Sequence, residues 1–337
     1  MKKKVAIIFY LMLLSSFNFY ADQRSDEKIG ESSWRFADFD LSMGKGNGYY
    51  EKFFREKSHK YPSMQFPGVD YKYKMSYLEI MDFLRELFNK NNLSVKVKNP
   101  RMQIPKTIHQ VWLGGPLPER YNMLIKTWIE KHPDWQYRLW TDEDAAEFDM
   151  VNREIFENST NYAEKADIFR YEILYKFGGL YVDIDFECYE PFDIFNENYE
   201  FYTGLSPVTH SIYLANGLIG SVPGHPIIEY CVKEMKGHVK RLLQRGRRDN
   251  QGGVCDRTGP QYFTKAFFDV LVEHMSTGLY DHTIALPSGY LYPITFRACD
   301  KKLKGEKLKQ HLKRYPEAIA IHYWHANWWG KKIKGKK

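Results

Sequence analysis

Two adjacent glycines, Gly178 and Gly179, stand where a helical periodicity stops and a strand periodicity begins, and this junction constrains the chain's fold most. Before it, Ala163, Ala166, Asp167, Arg170, Leu174 and Phe177 fall on one helical face, and glycine is the residue type that ends helices in the left-handed conformation. After it, Leu180, Val182 and Ile184 alternate with Tyr181, Asp183 and Asp185, the period of a strand. That alternation puts both carboxylates on one face, about 6.6 Å apart, where they repel unless a positive group sits near. Oxygen ligands of this kind suit a hard cation, Mn²⁺ or Mg²⁺, which fills its shell with water and phosphate oxygens. Two solvated aspartates at a strand end would look the same in isolation.

The flanking sequence supplies the rest of an α/β fold. KTIHQVW, residues 106–112, alternates like a strand and ends in Leu113-Gly114-Gly115. Residues 119–131 then place Tyr121, Leu124, Ile125, Trp128 and Ile129 on a helical stripe. Residues 135–140 give a second strand, and Thr141-Asp142-Glu143-Asp144 opens a capped helix. Strands alternating with helices imply a mainly parallel sheet flanked by helices, with ligands at the carboxyl ends of the strands. Further on, a strand is expected over 199–205, helices over 226–244 and 261–274, and a strand over 318–323. The last of these runs into His322, Tyr323, Trp324, His325, Ala326, Asn327, Trp328 and Trp329, a cluster of histidine, amide and indole hard to explain as plain surface.

The string Asp167, Arg170, Tyr171, Leu174, Tyr175, Gly178, Gly179, Tyr181, Asp183 and Asp185 resembles the DXD-motif glycosyltransferases of the sugar-binding-region family, which includes outer-chain mannosyltransferases. The related glucosylating domains of large clostridial toxins share it. The resemblance covers roughly residues 104–329. It implies a GT-A type, Rossmann-like fold and transfer from a nucleotide diphosphate sugar with retention. It also implies that Asp167 and Arg170 hold the donor sugar, that Asp183 contacts sugar and ribose, and that Asp185 ligates the metal. Tyr181 belongs to the same donor site. Trp112, at the end of the first strand, would stack on the base, while His109 is read as structural. Asn216 is an acceptor or sugar contact, or else a turn residue. Related enzymes fold a C-terminal His-x-x-Ser-Trp-like segment over the metal and diphosphate. By that likeness Trp328 would contact the diphosphate, with His322, His325 and Asn327 near the ion, although Asn327 stands where serine is usual.

Residues 1–21 carry Lys2-Lys3-Lys4, an apolar run from Val5 to Leu14 and a small residue at Ala21, the order of a secretory signal. A cleaved signal peptide is favoured because the apolar run is short for a spanning helix, with a type II anchor in a Golgi-like lumen as the alternative. Residues 22–100 read as an N-terminal helical extension, with Tyr77, Ile80, Met81, Leu84, Leu87 and Phe88 on one stripe, and residues 101–337 as the catalytic domain. Cys188, Cys231, Cys255 and Cys299 lack metal-site spacing, and an exported chain is permitted disulfides. The net charge of +7 includes basic runs at 301–313 and 331–337, which are solvated surface or a means of association with a membrane. No nucleic-acid partner is expected.

Function then reads as metal-dependent hexosyl transfer to a glycan, lipid or protein acceptor. The alternatives are a catalytically weak glycan-binding pseudo-transferase and a phosphatase of the haloacid-dehalogenase type. The phosphatase pattern needs Thr or Val where Glu187 stands and a later Gly-Asp pair, which this sequence does not contain.

Overall fold

Eight strands are present among the described residues: β1 (Thr107–Val111), β2 (Gln136–Trp140), β3 (Gly179–Val182), β4 (Phe186–Cys188), β5 (Phe201–Leu205), β6 (Leu214–Ser221), β7 (Thr283–Leu286) and β8 (Ala320–His322). This computed structural model describes residues 38–43, 75–93, 100–207, 212–245, 251–274, 279–295, 303 and 305–325. Six strands form one sheet in the order β2-β1-β3-β6-β5-β7. Only β6 runs against the common direction, so the sheet is mainly parallel, as expected. β4 and β8 form a separate antiparallel ribbon.

The helices used below are α1 (Tyr77–Asn91), α2 (Asn122–Lys131), α3 (Tyr162–Phe177), α4 (Pro226–Lys233), α5 (Met235–Gln244), α6 (Gln251–Arg257) and α7 (Pro260–Glu273). α3 packs against β1, β3 and α4, while α7 packs against β6 and α4. Parallel strands need such cover, because both faces of their sheet must leave water.

α1 starts with a reciprocal cap: Ser76 Oγ accepts from Glu79 N at 3.2 Å, and Ser76 N donates back to the Glu79 carboxylate at 2.6 Å. Its apolar stripe is buried, with Phe83 against Phe268 and Tyr280. At its end Asn91 Nδ2 donates to Tyr280 O and Thr283 O at 2.6 and 3.0 Å, and Tyr199 donates to Asn91 O at 2.6 Å. This part of the expected N-terminal extension is therefore packed on the sheet beside β7.

Two helical expectations change. The 226–244 helix is interrupted at Glu234 into α4 and α5. Of the stripe expected over 119–131, only Tyr121 and Trp128 are buried, while Ile129 is 46% exposed. The reason is that α2 packs on the narrow β4 ribbon, where Trp128 Nε1 donates to Phe186 O at 3.0 Å, and the large sheet lies elsewhere. Cys188, Cys231 and Cys255 are free thiols, and Cys299 lies outside the described residues. Among the described residues no helix is long and apolar enough to cross a membrane, and the 1–21 segment lies outside them.

Candidate active site

α3 is buried on nearly all sides, so its three buried acids each need partners. Asn161 caps its first turn by accepting from Ala163 N at 2.7 Å. Its far end stops at Gly178 and Gly179, with φ of 62° and 95°, values that a side chain would strain. Gly178 has ψ −153°, so the turn is the mirror-extended form available to glycine and not the left-handed helical one. A Cβ at 179 would also stand 2.7 Å from Thr107 O and 2.9 Å from His109 Nε2. His109 is structural: Nε2 meets Gly178 O at 3.0 Å and Nδ1 accepts from Trp140 Nε1 at 3.1 Å. Burial pushes this imidazole down to about 4, so it is neutral at pH 7.

The strand expected to carry both aspartates ends at Val182. Asp183, Ile184 and Asp185 form a turn closed by Phe186 N donating to Asp183 O at 3.2 Å. The reason lies in β6, whose Gly217 O accepts from Asp183 N at 2.7 Å, after which β3 has no further ladder partner on that side. Gly217 is required there, since a Cβ would stand 2.7 Å from Asp183 Oδ2. The carboxylates consequently do not lie on one strand face; the turn lets them converge.

Arg170 ties the helix to this turn. Nη1 donates to Asp167 Oδ1 at 2.8 Å and Nη2 to Asp183 Oδ1 at 2.7 Å, with Tyr181 donating to the same Asp183 oxygen at 3.0 Å. Asp167 Oδ1 also accepts from Asn216 Nδ2 at 2.8 Å. Burial pushes the Asp167 carboxyl up to about 6 against the pull of Arg170, and burial raises Asp183 as well. Burial opposes ionisation of Asp185 too, but His322 and the His325 N–H together outweigh it and hold that carboxyl below the usual range.

β8 delivers the C-terminal segment to the same point. Phe186 pairs with His322, and Tyr323 N donates to Asp185 O at 3.0 Å. His322 Nε2 lies 3.0 Å from Asp185 Oδ1, and His325 N donates to Asp185 Oδ2 at 2.7 Å. The His322 ring is held between Phe186 and Trp324, with centroids at 4.5 and 4.3 Å. Trp324 has φ 52°, the one positive value outside glycine among the described residues, a strained conformation of the sort concentrated at functional sites.

These groups line a cleft of about 250 Å³ whose walls include Asp167, Arg170, Asp183, Asp185, Asn216 and His322. Ligand atoms of Asp183, Asp185 and His322 lie within 4.8 Å of one another. Three carboxylates face one guanidinium here, a surplus of negative charge that suits a divalent cation, and the mixed oxygen and nitrogen set suits Mn²⁺ better than Mg²⁺. Among the described residues, Arg170 Nε and His322 Nδ1 are buried without a partner.

Of the residues expected from sequence, Asp167, Arg170, Tyr181, Asp183, Asp185, Asn216, His322 and His325 come together. His325 brings its backbone N–H to Asp185, while its ring stacks on Tyr323. Trp112 follows β1, donating to Pro116 O at 3.2 Å with its ring 5.3 Å from that of Tyr121, and is not among the residues lining the cleft. Asn327 and Trp328 lie outside the described residues. Sequence reasoning passed over Tyr292 in the wall and gave no role to Thr258, whose hydroxyl meets Asp167 Oδ2 at 3.2 Å.

Residues 118–202 match the family described as the glycosyltransferase sugar-binding region containing a DXD motif. Inositol phosphoceramide mannosyltransferase 3 of Schizosaccharomyces pombe is 35% identical over 143 residues, 41% of this chain and 38% of that protein. The initiation-specific alpha-1,6-mannosyltransferase of Candida albicans is 25% identical over 288 residues, 66% of this chain and 72% of that one. Among solved structures, PaToxG glycosyltransferase is similar with a TM-score of 0.42 at 20% identity, over 71% of this chain and 93% of that one. The chain spans about two fifths of the length of the first curated relatives it matches. Asp167, Arg170, Tyr181, Asp183 and Asp185 all lie within the matched residues, in keeping with the resemblance.

Proposed function

We propose that this chain is a metal-dependent glycosyltransferase that moves a hexose from a nucleotide diphosphate sugar to a glycan, lipid or protein acceptor with retention. The observation that carries the reading is the convergence of Asp183, Asp185 and His322 beside the Asp167–Arg170 pair in one cleft. Asp185, Asp183 and His322 would hold the divalent ion, Mn²⁺ or Mg²⁺. Bound there, such an ion neutralises charge developing on the diphosphate leaving group.

The chain's own residues do the rest. Arg170 sets the spacing of Asp167 and Asp183 by donating to Oδ1 of each, so both carboxylates line the cleft as acceptors for sugar hydroxyls. Asn216 adds a side-chain amide on the same side. Burial pushes the Tyr181 hydroxyl up, which keeps it protonated as a donor to Asp183. The apolar walls, among them Tyr292 and Trp324, exclude water that would hydrolyse the donor. Trp112 and Trp328 are proposed contacts to the base and the diphosphate.

The names of the relatives put mannose first among donor sugars and an inositol phosphoceramide first among acceptors. A secretory route, by signal peptide or anchor, would give such an enzyme both the donor and a membrane-borne acceptor. The test is a panel of GDP- and UDP-sugars assayed for hydrolysis and transfer with and without Mn²⁺. Turnover of at least one donor that disappears with chelator is expected. No turnover on any donor, with the ion present and the protein folded, rules the reading out.

A further inference from the structure

Glu164, Asp167 and Tyr171 stand three and four residues apart on α3 and so share one stripe. All three are gripped by two consecutive residues at the junction of α6 and α7. Arg257 donates through Nε to Glu164 Oε1 at 2.6 Å and through Nη2 to Oε2 at 3.0 Å, and these side chains are 2% and 5% exposed. Ser159 Oγ adds a contact to Glu164 Oε2 at 2.8 Å. Thr258 donates to Asp167 Oδ2 at 3.2 Å, and its carbonyl accepts from Tyr171 at 2.9 Å. The Tyr171 hydroxyl accepts from Asn216 Nδ2 at 3.0 Å, the amide that also reaches Asp167 Oδ1.

The two oxygens of Asp167 are thus divided. Oδ1 takes Arg170 and Asn216, and the partner of Oδ2 is Thr258. The terminal torsion of aspartate is broad and roughly two-fold, so donors gathered on one oxygen leave the carboxylate plane free to swing. A donor on the second oxygen removes that freedom.

We propose that Arg257 and Thr258 form a positioning clamp, in which Arg257 fixes α3 through Glu164 and Thr258 fixes the plane of the Asp167 carboxylate that faces the donor cleft. The clamp deepens the proposed transferase reading and rests on it for its kinetic consequence. Neither residue lines the cleft; Thr258 acts through Asp167, and Arg257 through Glu164 and the placement of α3. Its geometric content, that Thr258 sets the Asp167 plane, stands apart from any activity.

The experiment compares the wild type with Thr258→Val, which keeps the shape and removes the donor, and with Thr258→Ser, which restores the hydroxyl. For Mn²⁺-dependent donor hydrolysis, kcat of Thr258→Val should fall about 10- to 100-fold, with KM for the donor within about threefold and Tm nearly unchanged. Thr258→Ser should recover most of the rate. Arg257→Lys, which keeps charge but loses the planar fork, should lower kcat in the same pattern. A Thr258→Val enzyme within about twofold of wild-type kcat overturns the clamp, as does a loss that Ser does not rescue. Because an inactive wild type would sink the functional reading instead, crystal structures of wild type and Thr258→Val read the clamp independently. A rotated Asp167 carboxylate supports it, and an unmoved one overturns it.

Discussion

Two buried arginines serve α3 one turn apart, and they are used differently. Arg257 meets Glu164 as a fork on a carboxylate, with both side chains almost fully enclosed at 2% and 5% exposure. Arg170 splits its fork between Asp167 and Asp183, the latter side chain 29% exposed, and keeps a buried Nε without a partner among the described residues. The first arrangement is closed and neutral. The second sits among three carboxylates, an excess of negative charge over its one guanidinium. A buried ion pair is weak evidence of stability by itself, but breaking one leaves an uncompensated charge. The difference separates the part of α3 that holds its place from the part that lines the cleft.

The comparison breaks most visibly at the closed pair. Arg257→Ala strands Glu164 as a buried carboxylate and should destabilise the fold by about 3–5 kcal/mol in urea unfolding. A cost under about 1 kcal/mol would mean the pair is not what anchors α3. At the open site the loss should be catalytic: Asp185→Asn, nearly isosteric, should cut Mn²⁺-dependent turnover at least about 100-fold while Tm holds, and Asp183→Asn nearly as much. Retention of more than about a tenth of wild-type turnover, a loss under about 1.4 kcal/mol, excludes the assignment.

Arg170→Lys sharpens the contrast further. It keeps the charge but cannot donate to Asp167 and Asp183 in one plane, so activity should fall about tenfold or more with a small change in Tm. Matching losses of stability and activity would make Arg170 a structural ion pair and not a donor-binding group. The effect smallest near neutral pH concerns the glycine turn at the far end of α3. His109 is held neutral, with its folded value lowered to about 4 from an ordinary 6.5. The unfolded chain therefore binds the extra proton first, and stability is lost as pH falls below about 6.5, by up to about 1.4 kcal/mol per unit down to about 4. His109→Gln should flatten that slope in urea midpoints measured from pH 7 to 4.5. An unchanged slope would place the acid sensitivity elsewhere.

The helix, the glycine turn and the pair of aspartates were legible because each is a local pattern: a helical stripe, a residue type and a spacing. The end of β3 was not. The alternation from Leu180 to Asp185 continues past the last ladder bond, and period two carries no mark of where pairing stops. β6 escaped because glycine depresses strand propensity; Gly217 is there for the approach of Asp183, and Gly220 because the Tyr202 ring fills the space of its side chain. His322 was a candidate from its neighbours in sequence, but its pairing with Phe186 spans the second half of the chain. Thr258 meets an aspartate 91 residues away, a contact no local pattern encodes.

The central claim is that Asp183, Asp185 and His322 form a divalent-cation site, and it is tested most directly by titrating Mn²⁺ calorimetrically into the wild type and Asp185→Asn in the presence of a nucleoside diphosphate. The wild type should bind about one ion per chain, and the variant should bind at least about tenfold more weakly while remaining folded. Equal Mn²⁺ affinity in the two proteins would contradict the claim.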